Sequence, residues 1–241
     1  MSTGPATTPG ARTVRVMNAR RMILVWALLL VSMTVVALAG WAALPGFLGE
    51  TSRKASEDRA RGRDAALADV VWPQGMAPER SWKYIVIHHS ATSGATLEAI
   101  ARDHTDRLHA DGTAYHFLIN NGRSPGTGDG QIVPTPRWLR QAPGAHANVP
   151  GHPEFSHTGI GICMVGNFNQ ESPTPRQMDS LVALVALLGE RHGIPLDRIV
   201  GHGEVQTTDC PGRRFPMALV LGRLRQVSLR RQLAASSPEG P

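Results

Sequence analysis

The sequence predicts an α/β fold over residues 81–228, with a mixed central β-sheet and helices packed on it, preceded by one N-terminal transmembrane helix. Short β-branched and aromatic runs, typical of buried strands, alternate there with longer amphipathic runs that carry helix caps. An uncharged stretch near the N-terminus predicts the membrane helix. The chain has 241 residues, of which 41% are hydrophobic, so it can bury one core with appendages and wholesale disorder is excluded.

Five short apolar runs predict the strands of the sheet. Each is rich in Val, Ile or aromatic residues and is bounded by polar or glycine-containing sequence. The runs lie at residues 83–87, 115–119, 131–133, 159–165 and 198–200. The segment between the second and third runs, residues 120–130, is rich in Gly, Asn and Asp, which predicts a loop.

Three amphipathic segments predict the helices that cover the sheet. The strongest begins at Thr174, an N-cap residue whose capping box is completed by Gln177, and it ends at Gly193. The other two are expected over residues 97–108 and 216–227. The order of strands and helices indicates one layer of sheet with helices packed on it.

The N-terminal part of the chain predicts a location. Residues 22–48 carry no charge and are long enough to cross a lipid bilayer as a signal anchor. The basic leader, residues 1–21, is expected to stay in the cytoplasm because basic residues resist translocation. A charged linker, residues 49–80, follows, and residues 229–241 are expected to form a flexible tail. The alternative is a signal peptide cleaved at a small-x-small site. Either interpretation places the C-terminal domain outside the cytoplasmic membrane. With an uncleaved anchor, the chain would be a single-pass membrane protein.

The net charge of +6 does not indicate a nucleic-acid partner. Four arginines and no acidic residue lie within residues 1–21, whereas residues 82–228 are nearly neutral. A nucleic-acid-binding domain needs its basic residues clustered on the folded part of the chain. We therefore expect no DNA or RNA partner.

Histidine and cysteine residues predict a metal site. His88 and His202 each follow a predicted strand, and Cys210 lies in the loop after His202. Imidazole and thiolate are ligands that zinc prefers, and three protein ligands leave a fourth position for water. On spacing alone, a polar strand-end histidine and a buried free cysteine are the favoured interpretation, and the metal site is the alternative.

Several motifs together resemble one family. The segments IVIHHSAT, AYHFLI, GAHA, GIGICMVGNF and GHGEVQTTDCPGRRFP occur between residues 85 and 216. In order and spacing they are similar to the type 2 N-acetylmuramoyl-L-alanine amidase family, which includes the peptidoglycan recognition proteins and the bacteriophage lysozyme-amidases. The resemblance covers about residues 82–225.

The resemblance implies roles for particular residues. It implies one zinc ion bound by the first histidine after the first strand, the histidine of the Gly-His segment and the later cysteine, which are His88, His202 and Cys210 here. It implies a catalytic tyrosine, Tyr115, and a polar residue two positions before the cysteine, here Thr208. The substrate-binding residues that we expect in the peptide groove are His89 and His146, with packing or hydrogen bonding inside the protein as an equally open role for His89.

The activity that the resemblance implies is zinc-dependent hydrolysis of the amide between the lactyl group of N-acetylmuramic acid and L-alanine in peptidoglycan. Family members that lack the cysteine are non-catalytic peptidoglycan-binding modules, and this remains the alternative. A zinc hydrolase for another acyl-amide is a second alternative. A Cys163–Cys210 disulfide would remove one ligand, but Cys163 lies in an apolar strand and Cys210 in a loop. The expected partners are peptidoglycan or a muropeptide and, through the N-terminal helix, the membrane; the expected state is a monomer.

Overall fold

A computed structural model of the chain describes residues 19–108 and 111–236, although the side chains of residues 19, 21, 25, 37–53, 57 and 235 lie outside the description. The chain divides into two compact units, residues 1–60 and 61–241. The second unit contains the whole β-sheet and every candidate site residue.

The first helix is longer than the sequence predicts. Helix α1 runs from Ala19 to Val71 without a break, so the apolar residues of the predicted anchor and the charged residues after it belong to one helix. Among the described residues, no helix combines the length and the apolar character needed to cross a membrane. The transmembrane helix predicted over residues 22–48 stays a prediction, because the side chains of residues 37–48 lie outside the described part of the chain, as does almost all of the predicted leader.

Part of the predicted linker, residues 49–80, packs on the folded domain instead of extending into solvent. Val71 is fully buried in the hydrophobic core, and its carbonyl accepts a hydrogen bond from Trp138 Nε1 at 2.6 Å. Glu79 forms an ion pair with Arg191, with a shortest N–O distance of 2.7 Å. The sequence predicts a solvated linker here because the segment is highly charged, but a few apolar residues at its C-terminal end pack on the core.

The domain is built on a mixed five-stranded sheet with the strand order β3-β2-β4-β1-β5, which confirms the predicted α/β fold. Strand β1 lies between β4 and β5 and runs parallel to both; β2 is parallel to β4 and antiparallel to β3. The strands are β1 (Tyr84–His89), β2 (Phe117–Asn121), β3 (Asp129–Pro134), β4 (Gly159–Met164) and β5 (Ile199–Gly201). Strand β2 begins two residues later than predicted, so Tyr115 precedes it.

The two faces of the sheet have different roles. Ile85 and Ile87 of β1 contribute to the larger hydrophobic cluster, which also contains the apolar residues of the long helix α5 (Pro175–His192). Because side chains alternate along a strand, His88 points to the opposite face. Its register partner on β4, Cys163, belongs to the smaller cluster on that face, together with Ile100 of α2 (Leu97–Leu108). His88 is thus directed away from the main core.

Helix α5 begins and ends where the sequence predicts. The Thr174 side chain accepts a hydrogen bond from the backbone N–H of Gln177, the Gln177 side chain accepts one from the Thr174 N–H, and Gly193 ends the helix in the left-handed conformation. The Gln177 side chain is buried, and its Nε2 also donates to the carbonyls of Ile119 at 3.1 Å and Val165 at 2.8 Å. One amide therefore caps the helix and ties it both to strand β2 and to the residue that follows β4.

The remaining helices include short ones that the sequence did not reveal. They are α3 (Pro136–Leu139), α4 (Glu154–His157), a 3₁₀ turn (Leu196–Arg198), α6 (His202–Val205) and α7 (Met217–Ser236). Helix α7 enters the predicted tail, because residues 229–236 are rich in strong helix formers and Arg231 pairs with Asp64 and Glu190. Residues 237–241 of that tail lie outside the described residues.

We predict that Gln177→Leu lowers the free energy of unfolding by about 2–3 kcal/mol, because it leaves buried carbonyls and a helix N-terminal N–H without their amide partner. Chemical denaturation followed by tryptophan fluorescence measures the change. The matched control is Gln226→Leu on α7, whose side chain is exposed and whose substitution should change the free energy by less than about 0.5 kcal/mol. Equal losses in the two variants would show that the Gln177 amide does not stabilise the helix–sheet junction.

Candidate metal centre and active site

The pairing of β1 with β5 brings the first two candidate ligands together. Ile87 of β1 is the register partner of Gly201 of β5, so His88, near the end of β1, and His202, directly after β5, lie side by side at the same end of the two strands. Their ring centroids are 4.5 Å apart. The loop after α6 returns Cys210 to this edge, where its Sγ lies 3.6 Å from His88 Nδ1. One donor atom from each of the three residues lies within 4.8 Å of the others.

The donor set has the chemistry and spacing of a zinc site. Zinc–nitrogen bonds of about 2.0 Å and a zinc–sulfur bond of about 2.3 Å at tetrahedral angles would place N and S roughly 3.6 Å apart. The observed distance from His88 Nδ1 to Cys210 Sγ is 3.6 Å. Two imidazoles and one thiol also leave a fourth tetrahedral position available. The donor types therefore suit a zinc ion, and the His88–Cys210 pair already has the separation that a tetrahedral site requires.

Burial keeps the candidate ligands uncharged in the absence of a cation. Desolvation, followed by the neighbouring His146 and His202, holds the pKa of His88 well below its ordinary range, and desolvation also lowers the pKa of His202. Both imidazoles are therefore in the neutral, metal-binding form. Desolvation raises the pKa of Cys210 to about 12. A divalent cation reverses that effect, because a coordinated thiol loses its proton.

Backbone contacts hold the loop of Cys210 against helix α6. The N–H of Gly203 donates to the Cys210 carbonyl at 2.6 Å, and the N–H of His89 lies 3.4 Å from the Cys210 Sγ. A Cβ atom at Gly203 would lie 2.9 Å from the carbonyl oxygens of Thr208 and Cys210, so only glycine allows this approach. The Thr208 side chain is exposed, and its hydroxyl accepts from the Cys210 N–H at 3.3 Å.

Tyr115 lies beside the ligand cluster. Its ring centroid is 5.0 Å from that of His88 and 4.9 Å from that of His104. Burial, and then the nearby thiols of Cys163 and Cys210, raise the pKa of Tyr115 well above its ordinary range. The phenol therefore keeps its proton at any physiological pH and can act as a hydrogen-bond donor.

The structure places the two predicted substrate-binding histidines in protein surroundings. The His89 ring points away from His88, packs on Phe168, and its Nδ1 accepts from the Phe168 N–H at 3.1 Å. His146 is 6% exposed, and its two ring nitrogens contact His88 and the Gly159 carbonyl. Desolvation lowers the pKa of His146 to about 4, so its ring is neutral. These placements favour structural roles over the expected substrate contacts.

Several residues of the site were missed in the sequence. Gln206 Oε1 lies 2.8 Å from His202 Nε2, which leaves the other nitrogen of His202 available for a metal. The four-residue spacing of this pair on a helical turn was the available signal. Tyr115 also packs against the small apolar cluster that contains the buried Cys163, and this proximity was not evident from the apolar strand. Both cysteines are free, so the alternative Cys163–Cys210 disulfide is not formed.

Comparison with known proteins gives a consistent result. The profile described as N-acetylmuramoyl-L-alanine amidase matches residues 78–213. A peptidoglycan recognition protein of Trichoplusia ni is 29% identical over 145 residues, which are 56% of this chain and 72% of that protein. Peptidoglycan-recognition protein 2 of Holotrichia diomphalia is 30% identical over 139 residues, 54% of this chain and 67% of that protein.

Among solved structures, the N-acetylmuramoyl-L-alanine amidase LysC from Clostridium intestinale URNW is 32% identical to this chain, with a TM-score of 0.51. The similarity covers 64% of this chain and 92% of LysC. The profile match spans more than half of the chain and includes His88, His202 and Cys210. The chain therefore belongs to the N-acetylmuramoyl-L-alanine amidase family.

Proposed function

We propose that the protein is a zinc-dependent N-acetylmuramoyl-L-alanine amidase. The observation that carries this proposal is the convergence of His88, His202 and Cys210 donor atoms within 4.8 Å at one edge of the sheet, beside the partly buried Tyr115. The reaction adds water across the lactyl–L-alanine amide. The carbon–nitrogen bond breaks, the lactyl group leaves as a carboxylate, and the stem peptide leaves with a free L-alanine amine.

The roles proposed for the chain's own residues follow from their geometry. His88, His202 and Cys210 would hold the zinc ion, which when bound supplies a Lewis acid and lowers the pKa of its water. Tyr115 keeps its proton and lies against the His88 ring, so its hydroxyl can donate a hydrogen bond to the oxygen on which negative charge develops. The role expected for Thr208, donation to the same oxygen, stays a prediction; its hydroxyl oxygen accepts from the Cys210 N–H, and this leaves the O–H able to donate.

A recognition role without catalysis is the second candidate. The observation in its favour is that the relatives from Trichoplusia ni and Holotrichia diomphalia are named peptidoglycan recognition proteins. The complete donor set supports the enzyme over the binding module, because a module that only binds has no need of an open metal position. Peptidoglycan is the proposed partner in both cases. The location of the domain outside the cytoplasmic membrane and the monomeric state stay predictions.

We predict that the full chain, loaded with zinc, releases stem peptides with a free L-alanine N-terminus from purified peptidoglycan. Mass spectrometry detects them directly. Cys210→Ser and prior chelation should each abolish release, since both remove the proposed metal site. Tight peptidoglycan binding by a folded, zinc-loaded protein that releases nothing would establish the recognition role in place of the enzyme.

We predict that Tyr115→Phe lowers kcat by about 100-fold, because it removes one donor to the developing oxyanion. Zinc content and peptidoglycan binding should be unchanged, which separates this effect from loss of the site. Tyr84→Phe is the matched control: its ring packs on Phe155 at a centroid distance of 4.9 Å, and its activity should equal that of the wild type. Wild-type kcat in Tyr115→Phe would remove the phenol from the mechanism.

Thr208 is tested by pairing Thr208→Ala with Thr208→Ser. If its hydroxyl acts on the developing oxyanion, the alanine variant should lose roughly 10²-fold in kcat and the serine variant should retain most of it. Thr207→Ala is the control, because Thr207 is exposed one position earlier in the same loop. A loss of zinc binding without a specific loss of kcat would instead assign Thr208 to the loop that positions Cys210.

A further inference from the structure

We infer that His146 is a positioning residue of the metal centre, which holds the ring of His88 in the tautomer whose Nδ1 faces Cys210. This inference rests on the proposed zinc site and deepens it. The observations that carry it are two hydrogen bonds of the His146 ring and the space that two glycines leave for that ring.

The hydrogen bonds specify where each proton lies. His146 Nε2 is 3.1 Å from the Gly159 carbonyl, which can only accept, so this nitrogen carries the ring's hydrogen. A neutral imidazole has one N–H, and His146 Nδ1 is therefore an acceptor. His88 Nε2, 3.1 Å from it, must then be the donor. The lone pair of His88 lies on Nδ1, the atom that is 3.6 Å from the Cys210 sulfur.

The position of the His146 ring is shaped by the backbone. A Cβ atom at Gly161 of β4 would lie 2.3 Å from His146 Cδ2, and a Cβ at Gly144 would lie at the same distance from that atom. Neither glycine has a positive φ, so neither is needed for its conformational freedom. Their role is to leave space for the ring. His146 is only 6% exposed, so it has little surface that a substrate could contact.

The other ligand histidine is held in a different way. His202 Nε2 is paired with Gln206 four residues later on the same helical turn. His88 lies at the end of a strand and has no neighbour at that spacing, so its partner comes from a distant loop, 58 residues away in sequence. Outer-shell partners that orient a ligand histidine raise metal affinity, and their loss typically costs 10–100-fold.

The test is zinc binding by the full chain after removal of metal, measured by competition with a chromophoric chelator. His146→Ala should weaken zinc binding by about 10–100-fold, because the buried His88 Nε2–H loses its acceptor. His146→Asn should restore most of the affinity, since the amide Oδ1 can replace Nδ1 as acceptor. His192→Ala is the matched control: that side chain is 7% exposed, lies on α5 and pairs with Glu79. Its zinc affinity should match the wild type.

A second readout does not require metal. Long-range ¹H–¹⁵N spectra of the metal-free wild type should show His88 as the Nε2–H tautomer, and His146→Ala should lose that preference. Equal zinc affinity in wild type and His146→Ala, or an Nδ1–H tautomer at His88, would overturn the inference. An equal loss of affinity in His192→Ala would overturn it too, as general destabilisation. Failure of the wild type to bind zinc would count against the proposed function, while the tautomer still decides the role of His146.

Discussion

Strand β1 hydrogen-bonds to β4 on one side and to β5 on the other, and all three strands run parallel. The side chains that face away from the main core at one end of these strands therefore meet at one edge. His88 lies on β1, Cys163 lies at the partner position on β4, and His202 directly follows β5. Tyr115 and His146 then pack around the His88 ring. The site is a consequence of strand register, and a slip of one residue would exchange His88 for His89.

Much of the fold could be predicted from local sequence. The helix from Thr174 to Gly193 has a capping box at one end and a left-handed glycine at the other, so both ends were evident before any tertiary contact was known. The strands were evident from β-branched runs. The four-residue helix α6 was not, because one helical turn has no periodicity to detect. The sequence predicts an anchor and a separate charged linker, whereas the structure has one helix through both. Composition changes between the two segments, but it does not show where a helix ends.

The candidate site was predicted unevenly. His88, His202 and Cys210 carry ligand chemistry in their residue types, and the structure brings them together. The surroundings of those ligands could not be predicted in the same way. Contacts such as His146 with His88, or Cys163 with Tyr115, join residues from separate elements, and they depend on which face of the sheet each side chain occupies. Gly144 and Gly161 illustrate the difficulty, because each matters through the side chain that it lacks, whose place is taken by the His146 ring.

Only seven residues separate His202 from Cys210 in the sequence. A 2.6 Å hydrogen bond from the Gly203 N–H to the Cys210 carbonyl holds the two ends of this segment together. His88 is far away in sequence, but the sheet holds it beside them. Much of the chain entropy that must be lost to assemble the three donors is thus lost when the domain folds. The proposed zinc site would in this respect differ from small zinc modules, whose chains fold only around the metal. An ion that binds here would meet donors that the sheet and one loop contact have already brought to the same place.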